Sequence, residues 1–427
     1  MENTIQHPWS PLQKGAFRLV LLYLLCYIIP FPLTAIPVFG LALEEGASQG
    51  WHLLVAPVSR MLLGAPAELN TTGSGDTTWN YVLLAVQVSL AALGALLWTL
   101  IDRRPDRRYA TWQFWLRVFV RYYLAYVLLS YGFFKLIKTQ FPFPPLIHLT
   151  RPLGEASPMG LAWDFMGYSV GYNWFTGGLE VLGGLLLLFR RTSVLGALVV
   201  VGVMSNVVAM NFCFDIPVKL YSTHLLLLAV FLLLPDAGRL VRFFVLNQPV
   251  EASRTGGRLL PKWKPSVEYG LKAILVACIL FSTISTPWQV WTQRSGPQAR
   301  PPLYGLYTVE YVARNDSIQP PLSTDIRRWK RIVLSEWGRA RIDRMDDSAQ
   351  VCTYQTDTSA HTLRLLPRAD SLPQTTWRYA LLQNAALELR GKLEHDTIVI
   401  RLKRFDETAF PLISRGFHWI NEAPLNR

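Results

Sequence analysis

Two ionisable side chains fall where such groups are costly. Lys135 sits in SYGFFKLI (130–137) and Glu180 in YNWFTGGLEVLGGLLLLF (172–189). Both stretches are apolar enough to lie in a bilayer, where a charge at a helix centre costs about 2.5–3.5 kcal/mol on insertion scales. A group kept at that cost needs a reason to be there. A carboxylate and an amine held in an apolar cleft can exchange protons with a bound ligand, which is general acid–base chemistry. The structural alternative is an internal ion pair between two helices with no chemistry attached.

Other polar groups gather in the same part of the sequence. Asn206 and Asn211 lie in NVVAMNF, Asp215 and Lys219 in DIPVK, and Asp76 in TTGSGDTT (71–78). We read Lys135, Glu180, Asn206, Asp215 and Lys219 as the lining of one cavity that opens outward, with Asn211 and Asp76 as further substrate-binding candidates. In the alternative, Asp215 and Lys219 are a surface pair four residues apart and the asparagines join neighbouring helices. The glycines and hydroxyls around Asp76 could form an anion-binding nest, or a cap and turn with Asp76 or Thr77 as N-cap. Arg117 and Arg121 share one helical face and are expected to reach toward the inner headgroups.

These residues are positioned by a chain that does not read as soluble. Of 427 residues, 51% are hydrophobic and 17% charged, against about 25% charged in an ordinary soluble domain. Seven apolar stretches, roughly 17–39, 79–101, 113–137, 169–189, 193–214, 216–235 and 268–290, are long enough to cross a bilayer. The formal charge of +13 then needs no nucleic acid, because the basic residues sort by side. Fourteen lie at one set of span ends, in Lys14, Arg18, DRRPDRR (102–108), Arg190, Arg191, Arg239, Arg242, Arg254, Arg258, Lys262 and Lys264. Four, Arg60, Lys138, Arg151 and Lys219, lie at the other. The positive-inside rule places the N-terminus in the cytoplasm and everything after Trp291 outside, the periplasm of a bacterium. The basic loops face anionic lipid.

The first apolar run lacks a convincing cleavage site and reads as a span that is kept. Pro30, Pro32 and Pro37 should kink or unwind its outer end. WHLLVAPVSRMLL (51–63) suggests a short interfacial helix, and the apolar loop at 138–168 is expected to cap the bundle. Asn70-Thr71-Thr72 matches a glycosylation sequon. The four cysteines show no CxxC pair and the histidines no metal spacing, so no disulfide framework, zinc site, haem, flavin or iron–sulfur signature is legible.

After residue 291 the pattern changes to short segments of period two. Leu306–Val312, Lys330–Glu336, Ala340–Met345, Gln350–Gln355, Thr362–Leu366, Thr376–Leu381, Ala386–Arg390 and Thr397–Lys403 read as strands, and in the last Ile398, Ile400 and Leu402 share a face. The fold class is therefore a membrane helical bundle over 1–290 followed by an extracytoplasmic antiparallel barrel or sandwich over 291–427. Leu306, Val333, Leu387, Leu389, Ile398 and Ile400 are expected in its core.

Two family resemblances attach to these segments. Gly132-Phe133-Phe134-Lys135, followed by Glu180-Val181-Leu182-Gly183-Gly184-Leu185-Leu186-Leu187, resembles the paired motifs of the DoxX/DoxD-like membrane superfamily, over about 117–235. That resemblance implies a four-helix core with Lys135 and Glu180 at its site, quinone-linked redox chemistry, and a membrane or periplasmic redox partner. The two additional N-terminal spans and the β domain depart from its minimal pattern. LYGLYTVEY (303–311) and ELRGKLEHDTIVIRLKR (388–404) are similar to bacterial lipocalin-like barrels, which implies a barrel able to hold a lipid. More distantly, a helical bundle joined to a β-rich domain resembles the HTTM group of the vitamin K-dependent carboxylase. Three functions are thus open: a quinone-linked protein, a non-enzymatic lipid or small-molecule carrier, and a scaffold recruiting an outer-side partner.

Overall fold

A computed structural model describes residues 9–36, 39–69, 73–102, 107–251, 265–295, 300–367, 374–383, 386–393 and 395–426. The sequon at Asn70, Pro37, and the basic residues Arg103, Arg104, Arg254, Arg258, Lys262 and Lys264 lie outside them. The chain divides into two compact units, 1–140 with 171–288, and 141–170 with 289–427. The sequence reading drew one boundary near 290. By contact, the 138–168 loop, expected to cap the bundle, belongs for the most part with the C-terminal unit.

The first unit is helical. Its elements are α1 (Pro11–Ile28), α2 (Gly40–Leu63), α3 (Thr78–Ile101), α4 (Arg107–Leu136), α7 (Val170–Leu188), α8 (Ser193–Cys213), α9 (Lys219–Leu233), α10 (Ala237–Phe244) and α11 (Pro265–Ser295). Start signals in the sequence are used as such: Ser10 and Gln13 form a capping box at α1, and Thr77 and Asn80 do the same at α3. Helix α1 stops ahead of Pro30 and Pro32. The interfacial segment at 51–63 is the second half of α2, a single helix of 24 residues that ends at a left-handed Gly64.

Helices α1, α3, α4, α7, α8, α9 and α11 fall on the seven apolar stretches. Among the described residues, five segments, Pro11–Ala35, Thr78–Ile101, Arg190–Cys213, Lys219–Phe244 and Pro265–Ser295, are long and apolar enough to cross a membrane. Helices α4 and α7, which carry Lys135 and Glu180, are not among the five. The helical core is built from α1, α4, α7, α8 and α9, with Leu124, Leu128, Leu187, Ala197, Val200 and Ala229 almost fully buried.

The second unit joins α5 (Leu146–Thr150) and α6 (Pro158–Tyr168) to nine strands, β1 (Gly305–Arg314), β2 (Ser317–Gln319), β3 (Trp329–Leu334), β4 (Arg339–Arg344), β5 (Ala349–Asp357), β6 (Thr362–Pro367), β7 (Thr375–Leu381), β8 (Leu387–Leu393) and β9 (Asp396–Arg404), ending in the short α12 (Pro411–Ser414). Every pairing is antiparallel, and β1 closes the sheet by pairing with β9, through a register shift between Val309 and Tyr311. The result is an eight-stranded barrel with β2 hung on β1 as a short hairpin. Closure removes the exposed sheet edges that invite aggregation.

A barrel of this size is just wide enough for side chains to fill. Tyr307, Ile332, Leu334, Leu363, Trp377 and Leu389 do so. Opposite Trp377 stands Gly391, where a Cβ would lie 2.7 Å from the indole, so the missing side chain makes room for the ring. Leu306 and Val333, expected in this core, are buried but on the outer face. They pair across β1 and β3 and are covered by Leu146 and Ile147 of α5.

Candidate functional site

Helices α4 and α7 approach closely because glycines line their contact. A Cβ on Gly132 would sit 2.6 Å from Val181 Cγ2 and 2.9 Å from the Gly177 carbonyl oxygen, and one on Gly177 would sit 2.7 Å from the Lys135 Cβ. Backbone contact of this kind is the usual service of small residues between apolar helices. It brings Lys135 and Glu180 together: the Lys135 ammonium donates to Glu180 Oε1 at 2.5 Å. Both residues are buried, 6% and 3% exposed. The other carboxylate oxygen, Oε2, is buried with no hydrogen-bond donor among the described residues.

The remaining candidates do not join this pair in one lining. Asp76 accepts from the backbone N–H groups of Lys219 and Leu220, at 2.8 and 2.9 Å. It therefore caps α9 from across the chain, while Thr77 caps its own helix. The loop is held there by a second bond, from Gly75 N–H to the Pro217 carbonyl at 2.7 Å. Lys219 Nζ bonds Asp215 at 2.8 Å and lies 3.9 Å from Asp76, and Asp215 is exposed. Asn211 donates to Ser222 Oγ at 2.9 Å, tying α8 to α9. Asn206 lies on an exposed face of α8. These residues behave as caps, ties and a surface pair.

What sequence reasoning missed is a groove of about 620 Å³ bordered by α1, α2, α3, α4 and α9. Its lining includes Tyr27, Trp79, Tyr123, Tyr131, Tyr221 and His224. His224 Nδ1 lies 2.7 Å from the Leu220 carbonyl, an acceptor, so that nitrogen carries the proton. Nε2 is then the acceptor for the Tyr23 hydroxyl at 2.5 Å. Tyr27 stacks on the imidazole at 4.6 Å. The Tyr27 hydroxyl and the Trp79 indole N–H are buried without a partner among the described residues. Tyr131, one turn before Lys135 on α4, lines the groove and interacts electrostatically with Glu180, while neither Lys135 nor Glu180 lines the groove itself. The signal was present as the four tyrosines of this lining, but helical spacing alone does not separate a ligand wall from ordinary core.

No family model matches the chain, and no solved structure matches it. A bacterial relative does. The chain is 34% identical over 134 residues to the uncharacterized protein YwoB of Bacillus subtilis (strain 168), a match that takes in 31% of this chain and 83% of YwoB. Identity at that level over most of the relative's length is common descent rather than shared composition, and the chain belongs to the YwoB family.

Proposed function

We propose that the chain is an integral membrane protein of the DoxX/DoxD-like kind whose helical unit works on a quinone-class molecule, with Glu180 and Lys135 handling its protons. Five apolar helices among the described residues support membrane insertion, and the count of seven rests on adding α4 and α7, whose apolar stretches the sequence reads as spans. The one-sided distribution of basic residues favours an N-terminus in the cytoplasm and a barrel on the periplasmic side of a bacterial inner membrane.

The observation that carries the chemical reading is the Glu180 carboxylate, buried and committed to Lys135 through one oxygen while the other has no donor among the described residues. That oxygen is a ready acceptor for a hydroxyl proton. The aromatic groove, which reaches toward this pair through Tyr131, offers ring faces on which a quinol stacks and donors for its oxygens. Oxidation of a quinol to the quinone releases two protons and two electrons: Glu180 Oε2 takes up one proton, the second passes to water on the outer side, and both electrons pass to a membrane or periplasmic redox partner. The lipid-carrier alternative places the ligand in the barrel, and the packed barrel interior argues against it.

The test is organic extraction of the full chain, purified in mild detergent from native membranes, with chromatography for quinones. Wild-type protein is expected to retain a quinone that Glu180→Gln loses. Phospholipid alone in both samples would reject the reading.

A further inference from the structure

A second cluster of charge lies on the same long helix, away from Lys135. Arg117 and Arg121 sit one turn apart on α4, Arg190 opens the short 3-10 turn (Arg190–Thr192) that leads into α8, and with Ser193 of α8 and Asp236 after α9 they border a pocket of about 50 Å³. Arg117 is half-buried and Arg121 buried. Arg121 is 7% exposed, and its Nε has no acceptor among the described residues.

The single carboxylate at the pocket is already engaged. Asp236 Oδ1 accepts from Arg239 at 2.5 Å, and Oδ2 lies 3.6 Å from Arg117. Arg117 also donates to the Leu232 carbonyl at 3.3 Å. Arg190 is steadied by Phe114, its guanidinium 5.5 Å from the ring centre. From α11, Lys272 is close enough to Arg121 to repel it, with Glu268 as its own counter-charge. Asp236 with Arg239, and Glu268 with Lys272, offset one another, so the positive excess at the pocket comes from Arg117, Arg121 and Arg190. The start of α8, a helix of 21 residues with no side-chain cap, adds its positive end.

A buried guanidinium without a full set of acceptors is costly, whereas one shared with an oxyanion is not. Water can fill the space but cannot balance the charge. We propose that this pocket binds a phosphate group, gripped by Arg121, Arg117 and Arg190 at the start of α8, with any remainder of the molecule outside. The group could belong to an anionic phospholipid of the inner leaflet or to a free phosphate, and the chemistry of the grip is the same.

The full chain in maltoside detergent separates these sources by titration with phosphatidylglycerol, phosphate-free diacylglycerol and inorganic phosphate, each read by thermal unfolding and by native mass spectrometry. Wild type is expected to bind phosphatidylglycerol and not diacylglycerol, with binding about tenfold weaker in Arg190→Gln and in Arg121→Gln. Asp236→Asn, which removes the competing carboxylate, should tighten it. Response to phosphatidylglycerol alone identifies a headgroup; response to inorganic phosphate as well identifies a free-oxyanion site. If wild type binds neither, or if both arginine variants bind as wild type does, the proposal fails. Arg190→Gln keeps the test usable should Arg121→Gln not fold, because Arg190 stands at the pocket rim.

Discussion

Glu155 and Arg341, 186 residues apart in the chain, meet in a paired hydrogen bond, Arg341 Nη1 to Oε2 at 2.5 Å and Nη2 to Oε1 at 3.0 Å. Arg341 Nε also holds Asp343 at 2.7 Å, and Arg331 reaches from Asp343 to the Thr150 carbonyl. Alternation along β3 and β4 puts Arg331, Val333, Arg341 and Asp343 on the outer face of the barrel. The segment 141–170 is therefore fixed to the barrel by an apolar patch, Leu146 and Ile147 on Leu306 and Val333, fringed by this ionic group.

One consequence concerns pH. The Arg341 guanidinium holds the Glu155 carboxyl below its ordinary value of 4.5. A carboxyl that titrates lower when folded contributes fully above its unfolded value and loses that contribution as pH falls through the folded one. Glu155→Gln is expected to destabilise the C-terminal unit at about pH 7 by about 1 kcal/mol or less, since the carboxylate is 41% exposed. The difference between the two proteins should shrink as pH falls from about 7 through the acid range in which Glu155 takes up its proton. A difference that stays constant in urea titrations across that range would remove the pair from the account.

For Lys135 and Glu180 the double mutant is the decisive protein. Removing one partner strands a buried charge, so Lys135→Met and Glu180→Leu should each cost about 3–5 kcal/mol. Together they should recover most of that loss. Quinone retention separates structure from chemistry: it should remain lost in the double variant even as the unfolding temperature returns. Strictly additive losses would mean that the two side chains act separately.

Asp76 offers a cleaner test of helix capping at a distance. Its carboxylate accepts from two N–H groups at the start of α9, and removing a cap of this kind costs about 0.5–2 kcal/mol. Asp76→Ala should lose that amount, measured by thermal unfolding in detergent, while Asp76→Asn keeps part of it. Asp215→Asn, which tolerates the left-handed backbone at this position and removes the charge of an exposed pair with Lys219, should change stability by well under about 1 kcal/mol.

Topology is checked by labelling. A cysteine placed at Asp347, in the turn between β4 and β5, should react in intact cells with a maleimide that cannot cross the inner membrane. One at Arg191, between α7 and α8, should react only after lysis. The reverse pattern would invert the proposed orientation.

Much of the architecture was legible because its causes are local. Period-two alternation marked the eight barrel strands, and the cost of a charge in an apolar run singled out Lys135 and Glu180, which the structure joins. Strand β2, at three residues, is too short to show a period. Leu306 and Val333 read as interior because alternation reports burial without saying which face of the sheet is covered by what. Asp76 looked like the cap of its own helix; it caps one 143 residues later, a relation no local pattern carries. The arginine pocket draws on three separate segments, and a long side chain in a helix can equally lie along lipid or turn inward. Neighbouring helices decide between these.

The bond between Glu155 and Arg341 also sets a clock. A ribosome adds about 5–20 residues per second, so the carboxylate emerges roughly ten to forty seconds before the guanidinium that will receive it. Throughout that interval Leu146 and Ile147 have no barrel surface to cover. The segment must be synthesised early, wait with its apolar side unsatisfied, and be collected by strands made later. Its apolar side is therefore covered only once β1 and β3 have been made, which sets the docking of this segment late in the assembly of the C-terminal unit.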